Sequence, residues 1–428
     1  MTSAVGSTCA LPDTPLAKAV PGIMTCVHCG FCLQACPTYL ALGDENDSPR
    51  GRILLMRSLV EGTLGVDDPS VHTHIDQCLG CRACETVCPS GVPYGHMLEA
   101  TRATLSQERP LPPLARLILS VFARPRLLAI ALFGARLLRA TRLPHLLARF
   151  PGRIGASMAM LASTATHMKV RPYTRRGTGT RGRTAILEGC VMRGLYADTN
   201  EATARTLRAN DYDVVDVGGQ RCCGALHAHA GDLEGARRLA RANIEAFERS
   251  GAEFIAVNAA GCGAMMKEYA HLLADDPAWA GRAEALSAKV RDATELLAMA
   301  GPARGAPLPL SVTYDAPCHL LHAQRLVRPP LAVLAAIPEL DLVPLTDADQ
   351  CCGAAGIYNL LQPEISARVL EPKLENIAAT NADFVVTGNP GCQMQIGAGM
   401  LQMRLGRGTV HPIDLLDASY SRLERSPG

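Results

Sequence analysis

The sequence predicts a protein of α+β class overall, with a helical, cysteine-rich N-terminal domain followed by two duplicated α/β domains. Three observations lead there. The chain of 428 residues holds 17 cysteines, and all but Cys9 fall into regular arrays. The C-terminal half repeats one cysteine pattern at nearly fixed spacing. Each repeat alternates short β-rich runs with helical ones, the pattern of a parallel sheet with helices packed on it.

The length calls for two or three domains. A hydrophobic content of 48% with 19% charged residues suits a chain that buries a core. A net charge of +2 and an aromatic content of 4% give no basic or base-stacking surface for nucleic acid. Composition divides the chain into 1–108, which carries paired cysteine runs; 109–184, a basic amphipathic arm; and two repeats at 185–305 and 306–428, joined by the Gly/Pro-rich stretch Gly301–Pro309.

The first repeat has Cys190, Cys222-Cys223-Gly224 and Cys262 preceded by Gly261. The second has Cys318, Cys351-Cys352-Gly353 and Cys392 preceded by Gly391. Matching cysteines lie 128, 129, 129 and 130 residues apart, a coincidence that only duplication explains. Predicted strands are Ala185–Leu187, Asp213–Val217 and Glu253–Asn258, then Ser311–Tyr314, Asp341–Leu345 and Asp383–Thr387. Predicted helices are Asp198–Asn210, Asp232–Ser250 and Ala264–Leu273, then Ala323–Ala336, Pro363–Asn381 and Gln393–Leu405. Each repeated cysteine thus follows a strand and precedes or opens a helix. In an open parallel sheet those positions share the rim where ligands gather, with helix N-termini that favour thiolates. The four cysteines of each repeat are therefore expected to converge.

In the N-terminal domain Cys26-x2-Cys29-x2-Cys32-x3-Cys36-Pro37 is followed by Cys78-x2-Cys81-x2-Cys84-x3-Cys88-Pro89. This is the run of a two-cluster ferredoxin, in which the fourth cysteine of each run serves the other cluster. One [4Fe–4S] cluster is expected on Cys26, Cys29, Cys32 and Cys88, and the other on Cys78, Cys81, Cys84 and Cys36. A pair of zinc sites is the alternative, although zinc commonly takes two separated CxxC hooks. The stretch Arg50–Glu61 between the runs is helical in composition, which makes this a helical ferredoxin domain.

Adjacent cysteines fit different irons of a cluster better than one mononuclear site. Cys190, Cys222, Cys223 and Cys262, and likewise Cys318, Cys351, Cys352 and Cys392, are candidate ligands for one or two further iron–sulfur sites. Redox thiols, structural thiols and zinc remain open. His227, His229, His319 and His322 lie nearby as ligands, proton carriers or ordinary helix-start histidines, with the last favoured. Cys9 reads as a loose thiol in a mobile tail.

Residues 109–187 contain no Asp or Glu and fifteen Lys or Arg. Arg116, Arg124, Arg126, Arg136, Arg139, Arg142 and Arg149 alternate with Leu, Ile, Ala and Phe. A helix of this kind suits anionic headgroups or an acidic partner, or packs on its own protein with its arginines solvated. Arg171–Arg183 reads as a flexible basic linker. No run of eighteen apolar residues and no signal-peptide pattern occurs, so the expected location is cytoplasmic, with any membrane contact peripheral on the inner face.

The stretches CVHCGFCLQACPTYLALGDENDSPRGRILLMRSLVEG and QCLGCRACETVCPSGVPYGHMLE resemble the iron–sulfur subunit of bacterial glycolate oxidase. So do LEGC, RCCGALHAHAG, NAAGCGAMMKEYAHLLADDP, DAPCHLLHAQR, QCCGAAGIYNLLQPE and GNPGCQMQ, and together these span nearly the whole chain. The resemblance implies an electron-carrying subunit of an oxidoreductase, without catalytic residues of its own. Partner FAD-containing subunits would oxidise glycolate to glyoxylate, and electrons would pass on to a quinone. Anaerobic glycerol-3-phosphate dehydrogenase and lactate-utilisation complexes use similar subunits. The wider family includes heterodisulfide reductase, whose Cys-Cys-Gly domains end in CxxC and act on thiols directly; here Met265 and Gln395 stand at the last position of each. Independently, no Gly-rich dinucleotide fingerprint follows a strand, so no flavin is expected on this chain. A 2-hydroxy acid gives up two electrons, and a flavin on another chain is the natural acceptor.

Overall fold

A computed structural model describes residues 9–423, apart from 167, 169, 171, 172 and 174–176. Part of the expected linker Arg171–Arg183 therefore lies outside the described residues, and Arg183 opens the first strand.

The first α/β domain contains β1 (Arg183–Ile186), β2 (Asp213–Val215), β3 (Phe254–Val257) and β4 (Val290–Asp292) in a parallel sheet of order β2-β1-β3-β4. The second repeats it with β5 (Leu310–Tyr314), β6 (Leu340–Val343), β7 (Phe384–Val386) and β8 (Gly408–Val410), in the order β6-β5-β7-β8. The fourth strand of each sheet was not expected. Val-Arg-Asp and Gly-Thr-Val are too short and mixed to show a two-residue period, and hydrogen bonding to β3 or β7 makes them strands.

Two predicted helices are divided. Ala264–Leu273 becomes Ala260–Lys267 and Tyr269–Leu272. Ala323–Ala336 becomes a π-turn at His319–Ala323 and a helix at Arg328–Ala335. Pro329 and Pro330 lack N–H groups and so sit in a first turn, which forces the helix to restart.

The two α/β domains share a core formed by their outer helices. Leu207 and Leu296 of the first pack with Val333, Leu416 and Tyr420 of the second. Arg205 adds a bidentate pair to the buried Asp417, at 3.0 and 2.6 Å.

The N-terminal domain is built on the helices Pro49–Glu61, Pro69–Asp76 and Tyr94–Glu108. Ser48 caps the first by accepting from the N–H of Gly51 at 3.1 Å, and Met56, Leu59 and Ile75 fill the core. Cys9 is half-buried against this core and not loose, because Ala10 N–H donates to the Val60 carbonyl at 2.8 Å.

The basic segment forms four helices: Pro113–Ala123, Pro125–Ala140, Leu143–Leu147 and Gly152–Ser163. Arg124, ahead of Pro125, is extended (φ −110°, ψ 106°), so the first two helices meet in a sharp bend. The arm crosses both α/β domains, since Arg139 reaches the Leu195 carbonyl and Ser163 the Met394 carbonyl.

Candidate functional site

The carboxyl ends of the strands gather the repeated cysteines as the pattern requires. Cys190 follows β1, Cys222 and Cys223 follow β2, and Cys262 sits in the first turn of Ala260–Lys267 after β3. Cys222 and Cys190 lie with their sulfurs 3.7 Å apart, and Cys223 contacts both Cys222 and Cys262. In the second domain Cys352 and Cys392 are 3.2 Å apart, and Cys351 contacts Cys318 and Cys352. Gly224 and Gly353 turn the chain just after each pair at φ +92° and +80°; a side chain on Gly353 would strike the Ser366 carbonyl.

In the N-terminal domain, Cys26, Cys29, Cys32 and Cys88 line one hollow together with Cys84, Arg50 and Tyr94. Cys36 is buried, and lies among Cys78, Cys81 and Cys84 closely enough that their thiolates would raise the Cys84 thiol. Cys88 thus lies with the first run's cysteines and Cys36 with the second run's, while Cys84 borders both groups. Pro37 opens a helix directly after Cys36, and Pro49 opens another whose first residues line the hollow.

The electrostatics of these groups ask for a cation. Burial pushes the thiols of Cys36 and Cys84 up, and neighbouring sulfurs with burial do the same to Cys190, Cys223, Cys351 and Cys392. In each α/β domain one thiol moves the opposite way: Cys222 is held down by its hydrogen bonding with Cys190 and Cys223, and Cys352 by that with Cys351 and Cys392. All seventeen cysteines are free, so disulfides do not relieve this crowding. Free sulfurs gathered in this way suit soft iron bound as a cluster.

Several supporting residues were missed at the level of sequence. Arg52 is fully buried beside Cys36, donating to Thr38 Oγ1 at 3.0 Å, Asp47 Oδ1 at 3.1 Å and the His74 carbonyl at 2.6 Å. Tyr94 Oη donates to Cys78 Sγ at 3.6 Å, and Asn389 Nδ2 to Cys392 Sγ at 3.4 Å. Asn243 and Tyr269 donate to the carbonyls of Cys222 and Cys223 at 3.0 and 2.7 Å. Arg52 leaves a trace in the sequence, a cation on the same helix face as Met56, Leu59 and Val60.

The histidines mostly join domains. His319 Nε2 meets the Gly80 carbonyl at 3.1 Å, His322 Nδ1 meets Thr86 Oγ1 at 3.0 Å, and His229 Nδ1 meets Glu99 Oε1 at 2.9 Å. Burial lowers the His319 imidazole to about 4. His227 stays buried near Cys222. With Arg82, which pairs with Glu268, these contacts seat the second cysteine run in the crevice between the α/β domains. Cys81 there packs against Cys351, which also contacts Cys318. The second α/β domain thus adjoins the ferredoxin cysteines directly.

Comparison with known proteins gives the same order of domains. A 4Fe–4S dicluster domain family matches residues 22–92, and a cysteine-rich domain family matches 184–267 and 312–397. The probable glycolate oxidase iron–sulfur subunit of Bacillus subtilis (strain 168) is 37% identical over 92% of this chain and 93% of its own length. The glycolate oxidase iron–sulfur subunit of Escherichia coli (strain K12) is 36% identical over 89% and 92%. Lactate utilization protein A of an Exiguobacterium species is 30% identical over 50% of this chain and 88% of its own length. This iron–sulfur protein, a ferredoxin-like dicluster domain joined to two Cys-Cys-Gly repeats, belongs to the glycolate oxidase iron–sulfur subunit family.

Proposed function

We propose that this chain is the electron-transfer subunit of a flavin-dependent glycolate dehydrogenase complex, taking electrons from FAD-containing partner subunits and passing them towards a quinone. The observation that supports this reading is the end-to-end similarity to two glycolate oxidase iron–sulfur subunits, against similarity over half the chain to lactate utilization protein A.

A bound cluster supplies one-electron storage and release. Oxidation of glycolate to glyoxylate yields two electrons and two protons, so a partner flavin divides the pair into single electrons. The chain's residues do the rest. Cys26, Cys29, Cys32 and Cys88 would hold one [4Fe–4S] cluster, and Cys36, Cys78, Cys81 and Cys84 the other. Cys190, Cys222, Cys223 and Cys262, with Cys318, Cys351, Cys352 and Cys392, would hold further iron–sulfur sites. Arg52 holds a positive charge beside Cys36, and the packing of Cys81 on Cys351 gives the ferredoxin group a neighbour in the second repeat.

Anaerobic co-expression with candidate flavoprotein subunits tests this. Quinone reduction driven by glycolate is expected only when this chain is present. A complex that uses lactate or glycerol-3-phosphate but not glycolate would overturn the substrate assignment.

A further inference from the structure

We propose that the outward face of the basic arm is a docking surface for an anionic lipid bilayer. This goes beyond the reading above, and draws on it only in that a quinone resides in lipid.

An amphipathic helix on a water-soluble protein turns its apolar side inward and its charges outward. Helix Pro125–Ala140 packs Leu128 inward but carries apolar side chains outward as well. Leu127, Ile130, Phe133 and Leu137, spaced at three, three and four residues, form one stripe, and all four are exposed, Ile130 by 69% and Phe133 by 62%. Two of its arginines bond the protein: Arg136 donates to the carbonyls of Arg193 and Gly194, and Arg139 to those of Thr164 and Leu195. No residue of this helix is buried. Leu117 on the preceding helix, and Leu146, Phe150 and Ile154 further along the arm, are each at least 57% exposed. Nearly half of the large apolar side chains exposed among the described residues lie in this one segment.

Charge decides the occupant. Arg126, Arg142, Arg149 and Arg153 are exposed on the same arm, and residues 109–187 hold no Asp or Glu. An apolar centre with a cationic margin matches acyl chains beneath phosphate headgroups. The surface is made of aliphatic side chains and Phe, without directional contacts, and it runs over a bend of 105° between the first two helices. Fluid hydrocarbon fits such a shape where a rigid protein partner would need a matching corner. The same bend, with no single helix long and apolar enough to cross a membrane among the described residues, means that the arm lies on the bilayer.

The test is sedimentation of the full, iron-loaded chain with vesicles of phosphatidylcholine alone or mixed with phosphatidylglycerol. Partition should be roughly tenfold or more stronger on the anionic vesicles, and should weaken with salt. The double variant Ile130→Glu/Phe133→Glu should bind them roughly tenfold or more weakly, with unchanged iron content and unchanged paramagnetic signal on reduction. Equal binding by the variant and the parent, or no binding by the parent, would overturn the proposal. So would a variant that keeps vesicle binding but loses its flavoprotein partner, since the face would then be a protein interface. Electron transfer from the partner to a water-soluble dye, measured without lipid, reports separately on the function proposed above.

Discussion

Lys373 Nζ donates to Asp315 Oδ1 at 2.5 Å, and both side chains are almost completely buried beside Cys352. Asp315 also accepts from Thr387 Oγ1 at 2.9 Å, and Lys373 donates to the Ala348 carbonyl at 3.2 Å. The attraction of Asp315 outweighs burial and raises the Lys373 ammonium. In the first repeat Asn243, on the corresponding helix, bonds the Cys222 carbonyl with a neutral amide. The two repeats thus share a cysteine frame and differ in the charge set against it.

Lys373→Met leaves a carboxylate buried without its cation and should destabilise the protein by about 3–5 kcal/mol. Adding Asp315→Asn should recover much of that loss. Denaturant unfolding of the two single variants and the double variant measures it, and additive losses would mean that the pair is not coupled.

Cys36→Ser and Cys88→Ser should each disturb a cluster whose other three ligands lie in the distant run. Low-temperature paramagnetic spectra of the two variants, compared with Cys29→Ser, decide it. Loss of signal confined to the cluster of the local run would contradict crossed ligation.

Arg52→Gln removes a buried positive charge near Cys36 and Cys78. The reduction potential of the cluster on that group should fall by on the order of 50 mV, while the cluster on Cys26, Cys29, Cys32 and Cys88 moves less. A redox titration followed by paramagnetic signal reads both. Equal shifts would place Arg52 outside any specific role.

Burial pushes the Asp414 carboxyl up to about 7, although Thr199 Oγ1 donates to it at 3.1 Å. A carboxyl raised on folding contributes stability that is full below about pH 4, its unfolded range, and is lost as pH rises to about 7. Asp414→Asn should flatten that slope and gain on the order of 3 kcal/mol at pH 8. Unfolding curves at several pH values between 4 and 8 check it, and parallel slopes for variant and parent would refute it.

The cysteine spacing made both the duplication and the convergence of each repeat legible, because a parallel sheet brings every loop after a strand to one rim. The strand β4 escaped notice because Arg291 and Asp292 give it no apolar run. Arg52 and Lys373 were legible only as oddities, cations at core positions of helices otherwise lined by Leu59 and Val60 or by Leu370, Leu374 and Ile377. The contact of Cys81 with Cys351 was not legible, since it depends on how whole domains dock. The arm's composition announced an apolar face with cations. That Arg136 and Arg139 bond backbone carbonyls beneath it is a tertiary event that no periodicity encodes.

Iron and acid-labile sulfide analysis of the freshly reconstituted, oxygen-free chain, with paramagnetic spectra before and after reduction, tests the cluster assignment most directly. At least about eight irons and as many sulfides per chain, with signals from two interacting reduced clusters, are expected. A colourless protein that holds zinc, or none of these metals, and stays silent on reduction would contradict it.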